Sequence, residues 1–202
     1  YTVSVPYSVT SLTVGATVNN SEASVTGTGS KNLSVGDNKI NVVVTAGDKA
    51  IKTYVVTVTR QKDTVNTLKS LSLTDCTLSP TFSSSTTSYT CTVENSVTFT
   101  TVTASTESSV ASIEGTGTKN LSVGTNTIKV NVTAQNGSVK TYTVVVTRKP
   151  NSDATLKSLG VTNKTITPTF NKDTLLYTLT VPYSVDNITI TGVATQSVSS
   201  VT

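Results

Sequence analysis

"TIKVNVTAQNGSVKTYTVVVTR", Thr127 to Arg148, is the stretch that decides the fold. Two runs of alternating apolar and polar residues flank Asn136-Gly137, a dipeptide that accepts positive φ in a tight hairpin turn. Successive strand side chains point to opposite faces. Ile128, Val130 and Val132 therefore share one face of the first strand, and Tyr142, Val144 and Val146 share one face of the second. A sister stretch ending at Arg60 keeps Tyr54, Val56 and Val58 at the inner positions, while the outer position is Thr57 in one copy and Val145 in the other. The inner face is what the copies share. It is expected to be core, with Tyr54 and Tyr142 as anchors whose hydroxyls reach the edge.

The duplication extends along the whole chain. "YTVSVPYSV" at Tyr1, "YTCTVENSV" at Tyr89 and "YTLTVPYSV" at Tyr177 stand 88 residues apart, without a gap. "GTGSKNLSVGDNKI" from Gly27 and "GTGTKNLSVGTNTI" from Gly115 share that offset. This divides the chain into a first repeat, residues 1–60, that lacks its opening strand, and a complete repeat over 68–148. A third, residues 156–202, lacks its C-terminal half, and the polar linkers are 61–67 ("QKDTVNT") and 149–155 ("KPNSDAT"). The chain opens on Tyr1 and contains no Met, which points to an internal or processed piece of a longer protein.

Composition agrees with β structure. Ser and Thr supply roughly a third of the 202 residues and charged residues only 13%, a bias toward strands or a polar stalk. Thr and Val suit pleated, half-buried strands because their branched side chains are stiff at χ1. "LKSLSLT", "YTCTVENSV", "TTVTA" and "SVASIEG" add short alternating runs to the middle repeat. About seven short strands in some 80 residues imply an all-β, Greek-key, immunoglobulin-like sandwich. A unit of this size buries only about 60% of its unfolded surface. Its expected core is Leu71, Leu73, Leu78, Phe82, Tyr89, Val93, Val97, Val102, Ile113, Leu121, Val123 and the inward residues of the hairpin.

"LKSLSLTDCTLSPTFSSSTTSYTCTVENSV" followed by "GTGTKNLSVGTNTIKVNVTAQNGSVKTYTVVVTR" resembles the bacterial cadherin-like β-sandwich repeat. The shared pattern is a Leu-rich strand, L-S-P-x-F, S-Y-x-x-x-V, G-x-N-x-I-x-V and K-x-Y-x-V-x-V-x-R. The resemblance implies tandem sandwiches in secreted or surface-attached bacterial proteins, acting as spacer, adhesive or structural modules. It implies no catalytic residues. Calcium ligands of true cadherins are not supplied, since neither linker clusters the oxygen donors that a six-to-eight-coordinate site requires.

The chemistry of the chain is sparse. Glycines two apart with a lysine beyond suggest a phosphate loop, but that loop needs a helix N-terminus, and here a short "LSV" and a strand follow. A turn and edge segment fits better. There is no His, the 11 acidic residues are scattered, and the serines lack an activating partner. No catalytic, cofactor-binding or metal-binding residue is assigned. Cys76 and Cys91 occur in the same repeat, on segments that can be neighbouring antiparallel strands, and are the candidate disulfide. Two free buried thiols are the alternative, and a zinc site would need further ligands. Lys31/Lys119 and Asn38/Asn126 recur in register, as isopeptide pairs do, but solvated Lys and turn Asn explain them better. Arg60 and Arg148 are expected to tie each linker to its domain.

These features exclude several classes of function. The formal charge of +4 is spread as single residues, with aromatics at 5% and no Trp, so nucleic acid is not a partner. No apolar run is long enough to span a bilayer. The expected role is a non-enzymatic extracellular spacer or filament segment at a bacterial cell surface, whose partners are neighbouring repeats of the same or an adjacent chain. The alternative is a module for a cell-surface glycan or host protein, with Phe99 as the contact candidate because it replaces Ser11 and Asn187 of the other copies. A strand-donating, pilus-like subunit would use "LKSLGV" from Leu156 to complete a neighbour's open edge. Ice binding by Thr rows fits poorly, as the rows differ between copies.

Overall fold

The computed structural model describes residues 1–197 and 199–202 and contains no helix among them. It divides into two compact units, Tyr1–Lys149 and Pro150–Thr202. The strands of the first repeat are β1 (Thr2–Val5), β2 (Ser11–Val14), β3 (Ser24–Thr26), β4 (Gly29–Asn32), β5 (Gly36–Thr45) and β6 (Ile51–Arg60). Those of the middle repeat are β7 (Leu68–Leu73), β8 (Ser88–Val93), β9 (Phe99–Thr106), β10 (Ser112–Glu114), β11 (Gly117–Asn120), β12 (Gly124–Thr133) and β13 (Val139–Arg148). Pro150–Thr202 holds β14 (Leu156–Val161) and β15 (Ile190–Ala194), paired antiparallel.

The middle repeat packs a sheet ordered β10-β12-β13-β8 against one ordered β11-β9-β7. Its long antiparallel pair is β12–β13, and β8 joins β13 in parallel. The first repeat has the same order, β1-β6-β5-β3 beside β2-β4, with no strand in the place of β7. Alternation within each strand sends Leu71 and Leu73 of one sheet and Tyr89, Val130, Val144 and Val146 of the other into a single core. Leu78, Phe82, Val97 and Ile113 pack half-buried against it.

Two expectations about the core need correction. Val123 is 53% exposed. The chain leaves strand geometry after β11, and the turn that follows turns Leu121 inward and leaves Val123 on the surface. Tyr54, expected to anchor its core, is 37% exposed, whereas Tyr142 is fully buried. The Tyr142 hydroxyl does not emerge at an edge: it accepts the Leu68 amide (3.1 Å) and donates to the Ser84 carbonyl (2.7 Å). β7 covers Tyr142, and no described strand covers Tyr54.

The decisive hairpin is looser than a two-residue turn. Five residues separate the paired ends Thr133 and Val139, and the Gly137 amide donates to the Ala134 carbonyl at 2.9 Å. Gly137 alone of the Asn-Gly pair takes positive φ, +90°, the pattern of a turn followed by one left-handed residue. The same place in the first repeat is held by Lys49 at φ 72°. Gly115 has a different constraint, because a Cβ there would lie 2.1 Å from the Lys129 carbonyl oxygen. Gly27 meets Asn41 in the same way at 2.0 Å.

Residues 61–67 carry no strand and lie against the end of the middle repeat. The Asp63 carbonyl accepts the Asn136 amide, its amide donates to Gln135 Oε1, and Asn66 Nδ2 reaches Ser138 Oγ. On the other side, the Gln61 amide donates to the Val5 carbonyl of the first repeat.

Candidate interaction surfaces

The first repeat carries a groove at the place where the middle repeat carries β7. In the middle repeat β9 runs eight residues and pairs β7 through Leu73↔Val102, Leu71↔Ala104, Ser70↔Ser105 and Leu68↔Thr106. The matching strand β2 stops at Val14, and residues 15–18 belong to no strand. Between that edge and the opposite sheet lies a groove of about 520 Å³ lined by Val14, Ala16, Val18, Val42, Val44 and Tyr54. Four of the counterparts, Val102, Val130, Val132 and Tyr142, are at most 2% exposed. The groove is the place that β7 fills in the middle repeat, and the positions matching β7 fall before Tyr1.

Two polar staples repeat in both sandwiches. Arg148 donates through Nε and Nη2 to the Asn95 carbonyl and through Nη1 to the Leu121 carbonyl. Arg60 does the same to Tyr7 and Leu33, with its guanidinium 4.7 Å from the Tyr7 ring centre. These arginines close loops of their own sandwich, which corrects the expectation that they tie the linkers. Asn126 accepts the Ser122 amide and donates to the carbonyls of Ser122, Gly124 and Val146. Asn38 repeats this pattern on Ser34, Gly36 and Val58. Both Asn amides are consumed by their turns, leaving no role as isopeptide acceptors for Lys31 or Lys119. The in-register recurrence of Arg and Asn signalled these staples; their targets, main-chain carbonyls both near and distant in sequence, carried no signal of their own.

Cys91 lies on β8, and Cys76 follows β7 in a turn that bridges back to Leu73. Their Cα atoms are 5.8 Å apart and their sulfurs are in contact, within the span a disulfide closes. The two segments are not neighbouring strands of one sheet, so the contact joins the turn after β7 to the opposite sheet. Phe99 opens β9 and is 54% exposed. Asp63 is buried, and the Ser108 hydroxyl, with the Val65 amide behind it, holds its carboxyl below the ordinary carboxylate range. Among the described residues no three Cys, Asp or Glu side chains are grouped to hold a metal ion, and no helix is long and apolar enough to cross a membrane.

A family described as the cadherin-like beta sandwich domain matches residues 1–61 and again 68–149. The chain belongs to this family. Cadherin-like sandwiches are extracellular structural or adhesion-type modules of a non-catalytic kind, and they interact with neighbouring domains. No curated protein is a detectable relative. Among solved structures, the protocadherin GammaB4 extracellular domain is similar at 12% identity and a TM-score of 0.32, covering 82% of this chain and 33% of that one. The protocadherin Gamma B2 cadherin domains 1–5 give 10% and 0.30, covering 81% and 41%. The fibronectin(III)-like modules of Clostridium thermocellum CbhA give 12% and 0.22, covering 72% and 88%. The chain thus spans between a third and about two fifths of the two protocadherin chains.

Proposed function

We propose that this chain is a non-enzymatic spacer segment of a bacterial surface protein or surface filament, built from cadherin-like repeats bounded as 1–60, 68–148 and 156–202. The observation that carries the reading is the junction over residues 61–67. Its backbone and side chains are hydrogen-bonded to the middle repeat through Asp63 and Asn66, and to the first through Gln61. A joint tied on both sides transmits the direction of one sandwich to the next, which is what a spacer requires and a flexible tether lacks. The staples support it: Arg60, Arg148, Asn38 and Asn126 are all spent on their own loops rather than facing a ligand. A Cys76–Cys91 disulfide belongs to this extracellular setting.

Small-angle scattering on the native chain tests the reading. A single compact domain of this length has a radius of gyration of about 17 Å. The spacer requires a clearly larger value, above about 20 Å, with a pair-distance distribution skewed to long distances. A symmetric distribution near the compact value would refute it.

A second reading rests on Phe99. An exposed ring at a strand start is an anchor of the kind carbohydrate and protein sites use. Binding on a glycan array that Phe99→Ala abolishes would establish it, and an array without hits would remove the glycan form.

A further inference from the structure

We propose that each of the first two sandwiches carries a cleft that binds an acidic polysaccharide, with Lys31 and Lys39 meeting the anionic groups in the first repeat and Lys119 and Lys129 in the middle repeat. The inference deepens the glycan reading of Phe99 and does not rest on the spacer reading.

The cleft opens where the two sheets of a sandwich part. β3 pairs β5 only at residues 43–45, and β10 pairs β12 only at residues 131–133. The rest of β5 and β12 is paired along one edge, by β6 and β13. Its other edge faces β4 or β11, each the end strand of its own sheet. The space between is a cavity of about 490 Å³ in the first repeat and about 450 Å³ in the middle one, a size that ligand clefts occupy. Every residue lining one cavity stands 88 positions from a residue lining the other.

The charge in the cleft has one sign. Lys31 and Lys119, from β4 and β11, are half-buried; Lys39 and Lys129, from β5 and β12, are exposed. The second lysine does not hold the same repeat position, since Lys39 corresponds to Thr127 and Lys129 to Asn41. A shift of two residues along a strand keeps a side chain on the same face. The position has changed and the pair of charges has stayed. Among the described residues none of the four ammonium groups has an ion-pair or hydrogen-bond partner. Asp37 accepts the Thr59 hydroxyl at 2.5 Å, and Glu114, opposite Asn131, joins no ion pair among the described residues. Paired like charges in a cleft focus the field and draw anions.

The neutral lining decides which anion. Asn32 and Asn120 are exposed and line the clefts with carboxamides that hold no partner among the described residues, and Ser30 and Thr118 add hydroxyls. These groups donate and accept as a ligand with hydroxyls beside its charges requires. Neither lining contains arginine, the fork that suits phosphate and nucleic-acid backbones. In the middle repeat Phe99 stands directly across from Asn120. Opposite residues on neighbouring strands share a face, so the ring flanks the cleft, where the apolar side of a sugar can lie on it. In the first repeat the residue across from Asn32 is Ser11. The middle cleft is therefore the stronger of the two. Edge-strand lysines also discourage pairing with another chain, a role that needs no ligand and that the test separates.

The test titrates the 202-residue chain with an alginate oligosaccharide and follows amide chemical shifts, with dextran of equal length as the neutral probe and single-stranded DNA of equal charge as the other polyanion. Alginate should shift residues 118–120 and 127–129, and more weakly residues 30–32 and 39–41; dextran should shift neither set, and DNA should bind less tightly. An exposed ion pair contributes up to about fivefold in affinity. The pair Lys119→Gln and Lys129→Gln should therefore weaken the middle cleft by about tenfold and leave the first unchanged, and Lys31→Gln with Lys39→Gln should do the reverse. Phe99→Ala should lower the middle cleft to the affinity of the first. Amides outside the clefts report that each variant is folded. Absence of alginate binding overturns the proposal, as does equal binding of dextran or DNA. So does binding that the lysine substitutions leave unchanged, even where they promote self-association. Loss on Phe99→Ala alone overturns the lysine cleft and leaves the Phe99 reading intact, whereas loss on the lysine pairs alone upholds the cleft and removes the ring from it.

Discussion

Removing one hydroxyl oxygen from each of two equivalent tyrosines should have opposite consequences. In Tyr142→Phe the Ser84 carbonyl loses a donor, but Ser84 is exposed and water replaces it. The Leu68 amide has no such recourse: its residue is fully buried, and its partner in the structure is the Tyr142 hydroxyl at 3.1 Å. Leaving a buried N–H unpaired costs about 1–3 kcal/mol, so a loss of about 2 kcal/mol is expected. Tyr54→Phe should cost almost nothing, because Tyr54 is 37% exposed. Urea unfolding followed by far-UV circular dichroism reads both. With a slope between 1 and 3 kcal/mol per molar, Tyr142→Phe should lower the midpoint of the middle repeat by about 1 M, and Tyr54→Phe should leave the first repeat within error. Equal shifts would refute the argument that the bond from the Leu68 amide to the Tyr142 hydroxyl is what the substitution removes.

Four further substitutions probe the backbone and the junction. Gly115→Ala should destabilise by about 3 kcal/mol or more, because positive φ and a collision with the Lys129 carbonyl coincide. Gly117→Ala, also at positive φ but facing open space, should cost about 1 kcal/mol; thermal melts compare them. Lys49→Gly should stabilise the first repeat by about 0.5 kcal/mol, relief of a left-handed Lys outweighing the added chain entropy, as a small rise in melting temperature. Asp63 has a carboxyl pKa lowered by Ser108 and then by Val65. Its contribution is therefore present above the unfolded carboxylate pKa and disappears as pH falls through the lowered folded value. Melting temperatures from pH 7 down to pH 2 should fall less steeply in Asp63→Asn than in the native chain.

Much of the fold was legible in the sequence because the chain repeats itself. Alternation in Ile128–Val132 and Tyr142–Val146 set the inner face, and the second copy confirmed it at Val56 and Val58. Periodicity failed at Val123, where a turn interrupts the strand that alternation assumes. It failed at Tyr54 for a different reason: whether an inward residue is buried depends on the strand that covers it, which is not a local property. The sequence marked Arg60, Arg148, Asn38 and Asn126 by recurrence but not their carbonyl partners, since main-chain acceptors are the same at every residue. The Cys76–Cys91 approach was visible from their occurrence in one repeat, but its geometry, a turn against the opposite sheet, was not.

The central claim is that one sandwich is built twice around the same long hairpin. Residue-resolved hydrogen exchange tests it most directly. The amides of Asn38–Val43, paired with Thr53–Val58, and of Asn126–Asn131, paired with Thr141–Val146, should be protected far above the rate of an open chain at matching positions. Protection of Asn126–Asn131 without protection of Asn38–Val43 would contradict the account.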